Sequence, residues 1–161
     1  MRVELLTAEG LVLSLYVRNG RGSQRRMAGI EAGFGFSEIR WTGDTGSGTG
    51  NLLAIESHAP ASWLPDTRAY AWYAALVETL AHELQPGMLD APLAGLVIKL
   101  IQQSTGPSGH DFVRALALLG HCQSDAVAGT SILTTVRSRL GIRAPYLQLA
   151  LAAGLPGLES A

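Results

Sequence analysis

The stretch SHAPASWLPDTRAYAWYAALVETLAHEL, residues 57–84, is where the chain changes its period. Pro60 and Pro65, among small polar residues, predict a linker over 57–65. From Asp66 the apolar residues recur at helical spacing. Tyr70, Tyr73, Leu76, Val77, Leu80 and Leu84 are predicted to share one buried stripe. Asp66 is the expected N-cap, and Gln85-Pro86-Gly87 the stop.

Upstream of this stretch the period is two. Residues 2–17, RVELLTAEGLVLSLYV, predict two strands around a tight turn, with Gly10 suited to a left-handed turn position. Residues 34–41, FGFSEIRW, alternate as a third strand. The glycine-rich GDTGSGTGN (43–51) is the expected hairpin loop, and Leu52 to Glu56 the returning strand. Downstream, Asp90 caps a second helix whose buried face is Leu93, Leu96, Val97, Leu100 and Ile101. The run TGPSG (105–109) breaks it. A third helix is predicted over 110–119, a fourth over 125–140, and a short apolar fifth over 146–153. Strands first and helices second predict an α+β fold. We expect a small β-barrel over 1–57 and an α-helical domain, an antiparallel bundle, over 66–155.

Composition narrows the function classes. At 47% hydrophobic and 16% charged, the chain is too apolar to be disordered over most of its length. Cys122 is the only cysteine, which excludes an internal disulfide and a multi-cysteine zinc site and fits a reducing compartment. MRVELLTAEG does not read as a signal peptide, and no apolar run reaches membrane-spanning length. The expected location is the cytoplasm.

No catalytic motif stands out. His58, His82, His110 and His121 have no pair at metal-ligand i, i+4 spacing. The adjacent His121 and Cys122 diverge by about 100° on a helix, so adjacency does not make a catalytic pair. There is no nucleophile elbow, and residues 43–51 lack the Gly-Lys-Ser/Thr ending of a phosphate loop. No catalytic residue, metal ligand or cofactor is expected.

The distribution of charge is more informative than the net −1. Residues 1–26 hold five arginines against two glutamates, and residues 27–66 hold one arginine against five acids. The positive charge concentrates in RNGRGSQRRMAGIEAGF, residues 18–34, at Arg18, Arg21, Arg25 and Arg26. Its glycines let backbone N–H groups approach a phosphate, and its arginines neutralise charge. Tyr16, Phe34, Phe36 and Trp41 are candidates either for stacking bases or for the core.

That basic segment resembles the RecO family of recombination mediators, in which a strand ends, a basic glycine-containing loop follows, and a small-residue "AG" leads to a phenylalanine. LLTAEGLVLSLYVRNG resembles the preceding strand pair of the family, and FSEIRWTGDTGSGTGNLLAIE its next hairpin. LPDTRAYAWYAALVETLAHEL resembles the start of its helical domain, and DAPLAGLVIKLIQQSTGPSGHDFVRALALLGH its next two helices. The order holds over roughly residues 1–121. The resemblance implies an OB-type barrel followed by an α-helical domain. It implies DNA repair and recombination by single-strand binding and annealing. RecR and the C-terminal tail of the single-strand-binding protein are the implied partners, with loading of the RecA recombinase to follow. Carried over by position, the DNA-binding residues are Arg18, Arg21, Arg25, Arg26 and Arg40, with Arg2 and Arg68 as weaker candidates. Two departures stand out. The chain begins at what would be the second half of the first barrel strand, which leaves either a truncated start or an incomplete barrel. Only Cys122 stands where many members carry a four-cysteine zinc site, so no zinc is expected. The competing expectation is a protein–protein adaptor that keeps the fold without DNA binding, favoured by the apolar Ala/Leu-rich helices. An enzyme is a third reading that no motif supports.

Overall fold

A computed structural model describes residues 1–17, 34–121, 134, 136–138 and 144–152. They form four strands and four helices: β1 Arg2–Leu6, β2 Val12–Tyr16, β3 Gly35–Asp44, β4 Thr49–Pro60, α1 Thr67–Glu83, α2 Ala91–Gln102, α3 Gly109–Leu118 and α4 Pro145–Ala152. The class is α+β, as the change of period predicts. Two compact units divide the chain. One comprises Met1–Ser62 with Leu84–Gln102, the other Trp63–Glu83 with Gln103–Ala161. The helix expected over 125–140 lies largely outside the described residues.

In the first unit the sheet order is β1-β2-β4-β3. β1 and β2 form an antiparallel hairpin, from Arg2 opposite Tyr16 to Leu6 opposite Val12. Gly10 turns it at φ +93°, a conformation that glycine adopts without a Cβ penalty. β2 pairs in parallel with β4, through Ser14–Thr49, Leu15–Gly50 and Tyr16–Asn51. β3 and β4 are antiparallel, and β4 carries two extra residues, Leu53 and Glu56, at breaks in register. Among the described residues the sheet is open, with β1 and β3 at its edges. No closed barrel forms among them. On one face Val3 and Val17 pack with Leu5, Leu52 and Ile55.

The expected linker begins later than the prolines suggest. β4 continues to Pro60, pairing Ser57, His58, Ala59 and Pro60 with Glu38, Ser37, Phe36 and Gly35. Pro60 is tolerated because β4 is an edge there: its pairing with β2 covers only Thr49–Asn51.

The segment after α1 returns to β2. Gly87 N–H donates to the Val12 carbonyl and Val12 N–H to the Met88 carbonyl, both at 2.9 Å. Asp90 N–H donates to the Gly10 carbonyl at 3.0 Å. This ladder ties α2 to the strands. Asp90 also caps α2, its Oδ1 accepting from Leu93 N–H at 2.9 Å. Leu93, Leu96, Leu100 and Ile101 are buried, as expected; Val97 is only half-buried.

In the second unit Asp66 caps α1, accepting from the N–H groups of Arg68 and Ala69 at 2.8 and 3.3 Å. The buried face is Ala69, Trp72, Tyr73, Ala75, Leu76 and Thr79. It is rotated from the expected stripe, and Tyr70 and Val77 are exposed. Ala69 lies on the buried face, and Gly106 approaches it and Trp63 so closely that a Cβ there would collide with both. Trp63 packs on Tyr73 with ring centroids 5.1 Å apart, and Trp72 on Phe112 at 5.8 Å. Burial pushes the Tyr73 phenol up to about 12, so the ring stays neutral. The Asp111 carboxylate accepts from both the backbone N–H and the hydroxyl of Ser108 at the start of α3.

Gly48 sits at φ +63°, and a Cβ on it would strike the backbone of Gly87 and Val12. Gly48→Ala should therefore destabilise the protein by roughly 2–4 kcal/mol. Gly95 lies exposed in α2 with open space around it, and Gly95→Ala should stabilise by about 0.5–1 kcal/mol. Urea denaturation followed by circular dichroism compares the two. Equal midpoints would contradict the close crossing at Gly48.

Candidate nucleic-acid interface

Strand alternation gives the sheet of the first unit a second face, opposite Val3 and Val17. Register fixes its centre. Arg2, Tyr16, Asn51 and Thr42 lie in one row across all four strands. Tyr16 is 55% exposed, although Val12 to Leu15 on the same strand are buried. The side chain of Arg2 is 62% exposed; its Nε donates to the buried Ser14 hydroxyl, and its Nη2 lies 4.0 Å from Glu4. On β3, Phe36, Glu38, Arg40 and Thr42 alternate outward. Arg40 is exposed and sits 3.5 Å from Glu56.

Of the sequence-predicted DNA residues, Arg40 is on this face. Arg18, Arg21, Arg25 and Arg26 lie outside the described residues. Arg2 joins the face beside Tyr16, whereas Arg68 belongs to the first turn of α1 in the other unit. The four rings separate. Tyr16 and Phe36 are exposed, Phe34 and Trp41 half-buried, and Trp41 pairs with Leu52 on the opposite face.

Electrostatically the described face is mixed. Arg2 and Arg40 stand among Glu4, Glu38, Asp44 and Glu56. Asp44 is held as an anion: its carboxyl lies below the usual range because it accepts from the Ser47 side chain and from the N–H groups of Gly46 and Ser47. Those contacts also use the N–H groups of the glycine-rich turn, with Gly46 and Ser47 at 3.0 Å from the carboxylate. The turn is thus closed on its own anion and is not a phosphate cradle. With four acids against two arginines, this face alone would not attract a polyanion.

One side-chain pair is invisible in the sequence. The Ser37 hydroxyl lies 2.8 Å from His58 Nδ1, across the β3–β4 register. The 21-residue separation carries no signal, because only strand register brings the two together. A nucleophilic site would also need a group orienting His58 through Nε2, and that atom is buried without a hydrogen bond. Among the described residues no group of three or more His, Cys, Asp and Glu side chains converges as a metal site. No helix among them is long and apolar enough to cross a membrane.

The second unit offers a different surface. α4 packs on α1, yet Tyr146 and Leu149 of α4 and Tyr70 and Val77 of α1 are exposed. Beside them Glu78 has its pKa raised by burial, an effect opposed by the backbone N–H of Tyr146 and by His82. His121 Nε2 lies 3.1 Å from Glu83 Oε2, at ion-pair distance but without hydrogen-bond alignment.

Comparison with models of known families, with curated proteins and with solved structures gives no match for this chain.

A raised carboxyl pKa means that the fold binds the Glu78 proton more tightly than the unfolded chain does. Its stabilising effect is fully present below the unfolded value and is lost as pH rises through the folded one. The stability gained by Glu78→Gln over wild type should therefore grow between pH 4 and pH 7. Urea midpoints at both pH values read this, and a difference independent of pH would exclude Glu78 as the source.

Proposed function

We propose that the chain is a non-enzymatic, RecO-like mediator of DNA repair and recombination that binds single-stranded DNA and supports annealing. The observation that supports this reading is the sequence position of the arginine-rich segment. Arg18, Arg21, Arg25 and Arg26 fall in the connection between β2 and β3, beginning two residues after the exposed Tyr16. Phosphate contacts from forked guanidinium donors fix a strand without masking its base edges, as annealing requires. The strand order, with its parallel β2–β4 pair, is compatible with four of the five strands of an OB-type barrel. RecR and the tail of the single-strand-binding protein are the partners this reading implies.

An adaptor without DNA binding is the second reading. The exposed apolar side chains of α1 and α4 favour it, since a surface of that kind fits a protein partner. A salt-insensitive protein complex without a DNA shift at low salt would select it.

Replacing Arg21, Arg25 and Arg26 together by alanine should weaken single-strand binding. It should also reduce the slope of log affinity against log salt by roughly 2, the value for three lost phosphate contacts. Anisotropy titrations at several salt concentrations measure both. A triple variant that binds with unchanged affinity and slope would remove the segment from the interface.

A further inference from the structure

We propose that Tyr16, Arg2 and Asn51 form a base-stacking subsite that takes one unpaired nucleobase with little preference among the four. It rests on the single-strand reading above and names what the described sheet face contributes to it.

An exposed aromatic residue alone needs no explanation. The surroundings of Tyr16 are what point to a ligand. Its ring stands on an interior strand of the sheet, and its two register partners are polar: Arg2 on β1 and Asn51 on β4. Arg2 is not a free arm. Its Nε is fixed on the hydroxyl of Ser14, which is on the same face two residues before Tyr16. The rest of the guanidinium is exposed on the side of Ser14 and Glu4, one pair along the hairpin from the ring. Two positions after Asn51, the extra β4 residue Leu53 is 49% exposed. The row therefore offers a π-face, a cationic fork and a carboxamide. A nucleobase has the complementary parts: a flat π-surface and an edge of donors and acceptors. Asn51 can both donate to and accept from that edge, whereas Arg2 only donates.

Charge separates a base from a phosphate here. Glu4 lies 4.0 Å from Arg2, and Glu38, Asp44 and Glu56 line the same face. A phosphate at Arg2 would meet Glu4, but a neutral base would not. The face is thus suited to bases, while the phosphates fall to the basic segment. A duplex keeps its base faces stacked inside, so only an unpaired base can reach the ring.

The test uses the full chain with two labelled strands of equal length, a thymidine oligonucleotide and a wholly abasic sugar-phosphate strand. Tyr16→Ala should lower affinity for the thymidine strand roughly ten-fold. It should leave affinity for the abasic strand and both salt slopes unchanged. Tyr16→Phe should behave as wild type, and Arg2→Ala should weaken the thymidine strand alone. Circular dichroism melts confirm that each variant is folded; should Tyr16→Ala fail to fold, Tyr16→Leu takes its place. Equal loss on both strands, or no loss on either, overturns the subsite while leaving single-strand binding standing. Wild-type protein that binds neither strand at low salt overturns the single-strand reading itself, and the subsite with it.

Discussion

The backbone of Val12 is hydrogen-bonded through both its N–H and its carbonyl to the segment that follows α1. The first unit depends on this crossing. It requires Gly48 and Gly87 to approach closer than any side chain would allow. It ties Leu84–Gln102 to the strands, although α2 reads in sequence like the other helices. It also leaves β2 nearly enclosed, with Val12, Leu13, Ser14 and Leu15 all buried. Tyr16, the last residue of that strand, is the one that emerges.

That arrangement divides the chemistry between two parts of the chain. The described sheet face has more carboxylates than arginines, and two of its acids sit beside its two arginines. Such a surface does not attract a polyanion from a distance. The positive charge is concentrated in residues 18–26, which begin where β2 ends. In the proposed function the arginines hold the backbone of a single strand and the sheet face meets its bases. Neither part requires bond-making chemistry, so the roles follow from charge and shape alone.

Much of the local structure was legible in the sequence, because local signals were strong. Gly10 marked the first hairpin. Asp66 and Asp90 marked the helix starts, and their carboxylates do accept the first backbone N–H groups. What depends on distant partners was not legible. The parallel pairing of β2 with β4 leaves no mark in either strand. The burial of Ala69 and Thr79 and the exposure of Tyr70 and Val77 depend on what packs against the helix, Gly106 and Trp63 at Ala69 among it, and apolar periodicity does not encode that. The extension of β4 to Pro60 was hidden by the prolines, which usually end a strand sooner. For the candidate site, Arg40 and the rings could be named from the sequence. Which rings face outward required register, and so did the Ser37–His58 contact.

In the proposed function a nearly neutral chain grips single strands through one short basic segment. Fluorescence anisotropy of the full chain with a labelled single-stranded oligonucleotide, across a salt series, tests it most directly. Binding is expected at low salt and should weaken steeply as salt rises, with a log–log slope of about −3 for four phosphate contacts. Absence of binding at low salt, or binding indifferent to salt, would contradict it.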